Sequence, residues 1–395
     1  MQREYVKSEI TYLFAVIAII FSYLFASKSN NAIIVLSIVF MGYLCKYIKT
    51  NHLLITLDKG YVLLMLFCIF CFISSSWAVE PVYANKAAFS YGICVITAIF
   101  LSEIFKSGRS AFHALYTTGI VVGILTVVLY GPSLIIKSIL GVSRIENTFC
   151  NVNLLGILFA YTILIAFYQF LHKKSGIYIP VMLAELALIL STQSRKALIV
   201  VVIGVIGIYF LYTQKKISVV SMIRLLIVTG VAILLLIFLS KFSVFSAVKE
   251  RFEGLYAMFT GVGTLDGSSM LRKQYMEISM EQFKQHPVLG IGMDNARTAI
   301  IQSTYRHNTY THCNYIEMLC DGGVTGIVLY YSFHCYLLYC FIKRRENWTV
   351  YSRLCLGFLI LILILDYGMV SYTEKSNWIC MVPVIVESWH LKRKE

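Results

Sequence analysis

Charged side chains are scarce in this chain of 395 residues. Only 14% of them are Asp, Glu, Lys or Arg, whereas 58% are hydrophobic, and the mean hydropathy is +0.76. A soluble protein could not cover that much apolar surface, so a soluble fold is excluded. The sequence also lacks an internal repeat and a low-complexity linker. These absences predict a single membrane domain over residues 1–395.

Long apolar runs fill most of the sequence. A helix that crosses a bilayer needs about 20 consecutive apolar residues, and many of the runs approach this length. The sequence therefore predicts an all-α polytopic membrane protein with about twelve transmembrane helices. The predicted spans are residues 10–27, 32–48, 61–76, 88–105, 112–130, 154–171, 177–192, 197–213, 222–240, 313–342, 352–372 and 377–391.

Acidic residues are fewer than basic ones, 20 against 34, which gives a net charge of +14. Such an excess can indicate a nucleic-acid partner, but here the basic clusters recur between spans on one side. Examples are Lys173-Lys174, Lys215-Lys216 and residues 343–345. Because cytoplasmic loops are enriched in Lys and Arg, this pattern predicts orientation and no nucleic-acid partner. Both termini are expected in the cytoplasm, and residues 241–311 are expected to form a large extracytoplasmic loop between spans nine and ten.

No small-residue cleavage site follows the first apolar run, which predicts a retained anchor and not a removed signal peptide. The eleven cysteines lie mostly in apolar spans. Cys68 and Cys71 form a CxxC pair without a nearby His or second pair, which favours helix packing over metal binding. Cys150, Cys313 and Cys320 lie on or near the external side, where a disulfide is permitted but the spacing does not assign one.

Two cationic positions are candidates for binding an anion. Asp266-Gly267-Ser268-Ser269 is a helix start signal and His286-Pro287 a stop signal, which predicts a helix that includes residues 271–285. Arg272 would lie in its first turn, where a bound phosphate would accept from backbone N–H groups and the guanidinium together. The alternative is a surface arginine that extends to lipid head groups. Arg195, in the tight external turn after span seven, is either a second anion clamp close to Arg272 or a cation neutralised by lipid.

His312 lies at the mouth of the tenth span. A titratable group is costly there unless it has a function, and imidazole is neutral near pH 7. The alternative is a structural histidine, and His307 is another external candidate. If the segment is helical, Tyr315 shares the stripe of His312 and Glu317 lies on the opposite face, unable to orient the imidazole. Gly322-Gly323 and Gly326 would permit a break in this helix or the close approach of another helix.

The blocks around these residues resemble, in order, those of the O-antigen ligase and polymerase superfamily of membrane glycosyltransferases. The matching blocks are Ser194-Arg195, Arg272 followed by His286-Pro287-Val288-Leu289-Gly290-Ile291-Gly292, and His312 with Tyr315, Glu317, Gly323 and Gly326. The resemblance covers residues 70–330. Cys313 replaces a frequent Asn, and Lys196 follows the arginine where a small residue is common. Neither departure was expected to touch the chemistry.

The resemblance implies a donor oligosaccharide on undecaprenyl diphosphate and a saccharide acceptor. His312 would be the catalytic base, and Arg195 and Arg272 would hold the diphosphate. It implies an inverting reaction without metal or cofactor, and the external loop contains no DxD motif. The implied location is the cytoplasmic (inner) membrane, with the active site on the external or periplasmic face. Secondary candidates are Arg144, Lys86, Tyr315, Glu317 and His307.

Three functions remain open at this stage. A polymerase of polysaccharide repeat units is favoured over an O-antigen ligase, because the ligase reaction requires an outer-membrane acceptor such as lipid A core. The resemblance is compatible with a chain-length regulator and a flippase as partners of the bilayer-embedded enzyme. The alternative of another class is a polysaccharide flippase or other multi-span transporter, which Glu185, His334 and Asp366 in apolar spans favour. The absence of related halves speaks against it.

Overall fold

A computed structural model describes most of the chain. The described residues are 2–25, 31–50, 56, 58–105, 107–143, 145, 151–213, 220, 223, 227, 267–304 and 308–392. Every regular element in these ranges is helical, so the predicted all-α fold is confirmed. The ninth predicted span, apart from residues 223 and 227, lies outside the described residues, as do residues 241–266 of the predicted external loop.

Fourteen helices are described. They are α1 (Gln2–Leu24), α2 (Asn31–Thr50), α3 (Lys59–Ile73), α4 (Pro81–Ile104), α5 (Gly108–Tyr130), α6 (Pro132–Ile139), α7 (Val152–Lys173), α8 (Tyr178–Thr192), α9 (Arg195–Thr213), α10 (Gly267–Gln285), α11 (Ala296–Thr304), α12 (Asn314–Lys343), α13 (Val350–Leu365) and α14 (Lys375–Lys392). Among the described residues, seven helices are long and apolar enough to cross a membrane: α2, α3 with its 3₁₀ extension, α4, α5, α7, α9 and α12. Residues 10–24 of α1, α8 and α13 are shorter apolar helices. The chain is therefore an integral membrane protein.

The most buried of these membrane helices is α7. It begins at Asn151, whose side chain accepts from the N–H groups of Asn153 and Leu154. Leu, Ile, Phe, Tyr and Ala occur around its whole circumference, as a helix enclosed by others requires. It packs against α5, α8 and α9, and it thereby places the start of α9 beside the central bundle.

The helix α14 is also buried, although its sequence carries polar residues. Its Glu387 carboxylate accepts from the hydroxyl groups of Thr349 and Ser352, each at 2.7 Å. Thr349 and Ser352 also form the capping box that begins α13. A buried carboxylate is tolerated where hydrogen bonds satisfy it, so this polar cluster fixes the start of α13 against α14.

The long helix α12 is interrupted at Gly323, where φ is 60° and ψ is −159°. The break predicted at Gly322-Gly323 is thus present. The turn that follows α10 inserts its backbone there, because the N–H groups of Ile291 and Gly292 donate to the carbonyl oxygens of Cys320 and Asp321 at 3.0 and 2.9 Å. From the other side, the N–H group of Val324 donates to Pro287 at 2.9 Å. The two segments form one interlocked unit.

One predicted span was wrong in its extent. Instead of continuing to residue 372, α13 ends at Leu365, and the next segment is a loop tied to the start of α12. The side-chain oxygen of Asn314 accepts from the N–H groups of Ser371 and Tyr372 at 3.0 and 3.4 Å, and the Asn314 N–H donates to the Asp366 carbonyl at 2.7 Å. These bonds replace the helical ones that a longer α13 would make.

Candidate functional site

A cavity of about 650 Å³ lies between α9, α10, the start of α12 and the end of α13. Its polar lining includes Arg195, Arg272 and His312, together with Tyr315. These are the three first-rank residues of the sequence analysis and one secondary candidate. The volume is in the range of small-molecule sites. Residues that lie far apart in sequence are thus brought to one cavity, as the sequence analysis predicted for the two arginines.

Arg195 is placed by the turn between α8 and α9. Gln193 ends α8 in a left-handed conformation, with φ of 52°, and its amide donates to the carbonyl oxygens of Ser138 and Ser143 at 3.2 and 2.9 Å. Arg195 then opens α9, and its guanidinium donates to the Ser269 hydroxyl at 3.3 Å. This bond joins the beginning of α9 to the first turn of α10.

Arg272 lies on the cavity face of α10, one turn before Met276, which also lines the cavity. The opposite face is exposed and carries Lys273 paired with Glu277 at 4.0 Å. The helix starts at Gly267, within the predicted start signal, so Arg272 lies in its second turn and not in its first. Arg272 was expected in the first turn, beside the N–H groups that have no acceptor within the helix, and this expectation was wrong by one turn. Its guanidinium still faces the same cavity as Arg195.

His312 is held in a strained backbone conformation. Its φ is 63°, a region that residues other than glycine seldom adopt and that neighbouring contacts must enforce. The Thr311 hydroxyl bonds both the carbonyl and the N–H of Cys313, at 2.9 and 3.2 Å. The Thr311 N–H donates to the buried Glu317 carboxylate at 2.8 Å. The imidazole lies against Tyr310, with ring centroids 4.3 Å apart.

Glu317 thus has a place that the sequence analysis did not predict. Helical spacing put it on the face opposite His312. In the structure its carboxylate bonds the backbone of Thr311, the residue before the histidine. His312 and Thr311 precede α12, so the helical spacing that placed Glu317 on the opposite face does not apply to them.

The charge of His312 follows from its surroundings. Burial, and then the positive charges of Arg272 and Lys196, lower the pKa of His312 to about 3. The imidazole of the unliganded site is therefore neutral near pH 7 and able to accept a proton. An anion bound among the same cations would raise this pKa, because it would offset their charge.

The other part of the cavity wall is aliphatic. It is formed by Ile199, Val200 and Ile203 of α9 and by Ile360, Leu361, Leu363, Ile364 and Leu365 of α13. Ile360 and Ile364 are each 41% exposed, so this wall continues onto the apolar outer surface of the protein. The cavity as a whole is amphipathic, and it suits a molecule with an anionic head and an apolar tail.

Lys196 was expected not to touch the proposed chemistry, but the structure places it in the lining of the same cavity. It lines the cavity beside Arg195 and acts electrostatically on His312. The sequence carries a signal for this placement: residues 195, 196, 199, 200 and 203 form one stripe at helical spacing, and all of them line the cavity.

The remaining candidates lie elsewhere. Lys86 is an exposed residue of α4 outside the cavity lining; it acts electrostatically on Asp294, which pairs with Arg297 at 2.6 Å. Arg144 and His307 lie outside the described residues, as does Cys150. Cys313 and Cys320 are buried free thiols.

The residues that favoured a transporter do not line the cavity. Glu185 of α8 lies against Gly123 of α5. Asp366 accepts from the Tyr331 hydroxyl at 2.8 Å, and the ring of Tyr331 neighbours that of His334, with centroids 5.5 Å apart. Asp366 and His334 thus lie beside the same tyrosine, and Glu185 packs between α8 and α5.

A family model described as O-antigen ligase matches residues 180–331. The matched range runs from α8 into α12 and contains Arg195, Arg272, His312 and Tyr315. This match confirms the resemblance that the sequence blocks indicated. No curated protein matches the chain.

Proposed function

We propose that this chain, whose residues 180–331 match a family model described as O-antigen ligase, transfers an oligosaccharide from undecaprenyl diphosphate to a saccharide acceptor. The observation that carries the proposal is the amphipathic cavity that Arg195, Arg272 and His312 share. We place it at the outer face of the cytoplasmic membrane, since the distribution of Lys and Arg favours cytoplasmic termini.

The two parts of the cavity correspond to the two parts of such a donor. Guanidinium groups bind phosphate oxygens through directed, charge-assisted hydrogen bonds, so Arg195 and Arg272 would hold the diphosphate. The aliphatic wall of α9 and α13 would receive the first isoprene units. Since part of that wall is exposed on the apolar surface, the rest of the polyprenyl chain would remain in the bilayer.

The chemistry requires one proton acceptor and stabilisation of a leaving group. The neutral imidazole of His312 would take the proton of the acceptor hydroxyl as its oxygen attacks the anomeric carbon. The bond from that carbon to the diphosphate oxygen breaks, and its electron pair leaves with the diphosphate. The arginines stabilise this charge as it develops. A single displacement inverts the anomeric centre, and the cations supply the charge that a metal ion would otherwise supply.

The reaction is tested with purified protein and an undecaprenyl-diphosphate-linked oligosaccharide in detergent. The wild-type protein should form a new glycosidic bond, detectable by mass spectrometry, and His312→Ala should abolish it while its thermal stability is retained. Lys273→Met is the matched control, because this lysine follows Arg272 in sequence but lies on the exposed face of α10, outside the cavity lining. A wild-type protein that forms no new bond in detergent, but moves the lipid from one leaflet to the other after reconstitution into vesicles, would favour the transporter.

Within this class we favour a polymerase of polysaccharide repeat units over a ligase. A polymerase uses a second lipid-linked glycan as acceptor, whereas a ligase needs a separate acceptor such as lipid A core. Deletion in the native host distinguishes them. Single repeat units on the lipid carrier would accumulate without a polymerase, and long chains would accumulate on it without a ligase.

A further inference from the structure

Lys196 is the cation of the cavity that the family pattern does not explain. It follows Arg195 at the start of α9, where a small residue is common in the family. Its stem packs against the loop after α13, because its Cε lies 3.5 Å from the position that a Cβ on Gly368 would occupy. Its charge acts on His312 together with that of Arg272. Three basic side chains, from two helices, therefore line one cavity with the imidazole.

We propose that Lys196 is a third diphosphate-binding residue, which stabilises the charge that the leaving group gains during transfer. The inference rests on the proposed function and adds to it. In the donor both phosphates are esterified, one to the sugar and one to the lipid, so the diphosphate carries two negative charges. Cleavage of the bond to the sugar leaves a third charge on the terminal phosphate. Two guanidinium groups match the donor, and an added ammonium matches the product and the transition state that resembles it.

This role differs from simple attraction of an anion. A cation that only attracted the donor would strengthen the binding of donor and product alike and would change KM. A cation that responds to the third charge strengthens the transition state and the product more than the donor, and it changes kcat. A lysine suits this task because its ammonium is a compact point charge on a flexible stem, able to follow an oxygen that moves away from the sugar.

The test compares two soluble probes that differ by one negative charge. Farnesyl diphosphate has a free terminal phosphate, as the released carrier does, and its terminal methyl ester has two charges, as the donor does. Dissociation constants are measured at pH 7 for the detergent-solubilised wild type, Lys196→Met, Lys196→Gln, Lys196→Arg and the control Lys273→Met. We expect Lys196→Met and Lys196→Gln to bind farnesyl diphosphate about tenfold or more weakly, since a hydrogen bond to a charged group is lost. Binding of the methyl ester should change little.

Lys196→Arg should recover most of the preference for the third charge, and Lys273→Met should behave as the wild type. In the transfer reaction, Lys196→Met should lower kcat more than it changes KM for the donor. An equal loss of affinity for both probes, or none for either, would overturn the role of Lys196. Lys196→Met and Lys196→Gln both remove the charge, so the test can still be made if one of them fails to fold. A wild-type protein that binds neither probe would instead refute the proposed function, whereas intact wild-type binding with unchanged variants would refute Lys196 alone.

Discussion

At the scale of single residues, burial and neighbouring basic side chains keep the proposed base, His312, uncharged. His312 has a left-handed backbone, fixed through Thr311 by Glu317 and by the hydroxyl bonds to Cys313. Burial lowers its pKa most, and the arginine and lysine that would bind the diphosphate lower it further. Binding of an anion would offset the charge of these two residues and would therefore raise the pKa of the imidazole.

The pH dependence of kcat/KM for the donor tests this charge state. In the free enzyme the pKa of His312 is about 3, so the imidazole stays neutral as the pH falls from 8 to about 5. We expect no loss of kcat/KM from protonation of this residue over that interval. A histidine with an ordinary pKa of about 6.5 would already be half protonated at pH 6.5. A loss of kcat/KM centred near pH 6.5 would contradict the account, if an assay that does not need the base shows no such loss.

Glu317 offers a test of positioning. In Glu317→Ala the Thr311 N–H loses its acceptor, and the loop that holds His312 can move. Misplacement by about 1 Å can reduce a rate on the order of a hundredfold, so kcat should fall by about ten- to a hundredfold with little change in KM for the donor. Glu317→Gln keeps a carbonyl acceptor and should recover most of the activity. Equal activity of the alanine and glutamine variants would remove Glu317 from this role.

At the scale of elements, the glycines of the two family blocks have a structural function. A Cβ on Gly290 would collide with the carbonyl group of Asp321, and a Cβ on Gly323 would collide with that of Val288. Both residues have positive φ, of 64° and 60°. The glycines allow the turn after α10 to enter the break in α12. This interlock sets the direction from which α10 presents Arg272 to the cavity.

Substitution of these glycines should therefore destabilise the protein. We expect Gly290→Ala and Gly323→Ala to lower the melting temperature in detergent by several degrees, because each combines a steric clash with a strained φ. Gly207→Ala is the matched control: it lies in α9 with open space around its Cβ position, and alanine favours the helix. Melting temperatures of the first two variants equal to that of Gly207→Ala would show that the interlock contributes nothing.

Part of this arrangement could be predicted from the sequence and part could not. The helix that carries Arg272 was predicted from its start signals and from His286-Pro287 at its end, since these are local. The end of α13 was not, because Asn314, distant in sequence, supplies the hydrogen bonds that stop it. Lys196 was misjudged because it was compared with a family pattern and not with the stripe of α9.

The site illustrates the same difference. Arg195, Arg272 and His312 were candidates because cations and an imidazole are unusual beside apolar spans, and the family resemblance made them the first choice. Their roles remain predictions. Their common cavity follows from the packing of α9, α10 and α13, and Lys86, a secondary candidate, lies outside it. Local sequence identifies unusual residues, but long-range packing decides which of them meet.

At the scale of the whole molecule, orientation in the bilayer is the expectation on which the external site depends. Cysteines introduced at exposed positions test it. Gln285→Cys, at the end of α10, should react with a membrane-impermeant maleimide in spheroplasts. Lys173→Cys, at the end of α7, should react only after lysis, because the basic ends of spans are predicted to be cytoplasmic. The wild type controls for its own thiols, and the reverse labelling pattern would refute the predicted topology.

The central claim is that the cavity between α9, α10 and α13 binds a lipid diphosphate with its charged end at Arg195 and Arg272. The most direct measurement is photo-crosslinking with a farnesyl diphosphate that carries a diazirine on its isoprenyl end, followed by mass spectrometry of the labelled peptides. The account predicts labels within residues 195–213 and 350–365, displaced by undecaprenyl diphosphate and strongly reduced in Arg272→Met. Labels confined to other helices, or labels that Arg272→Met leaves unchanged, would contradict it.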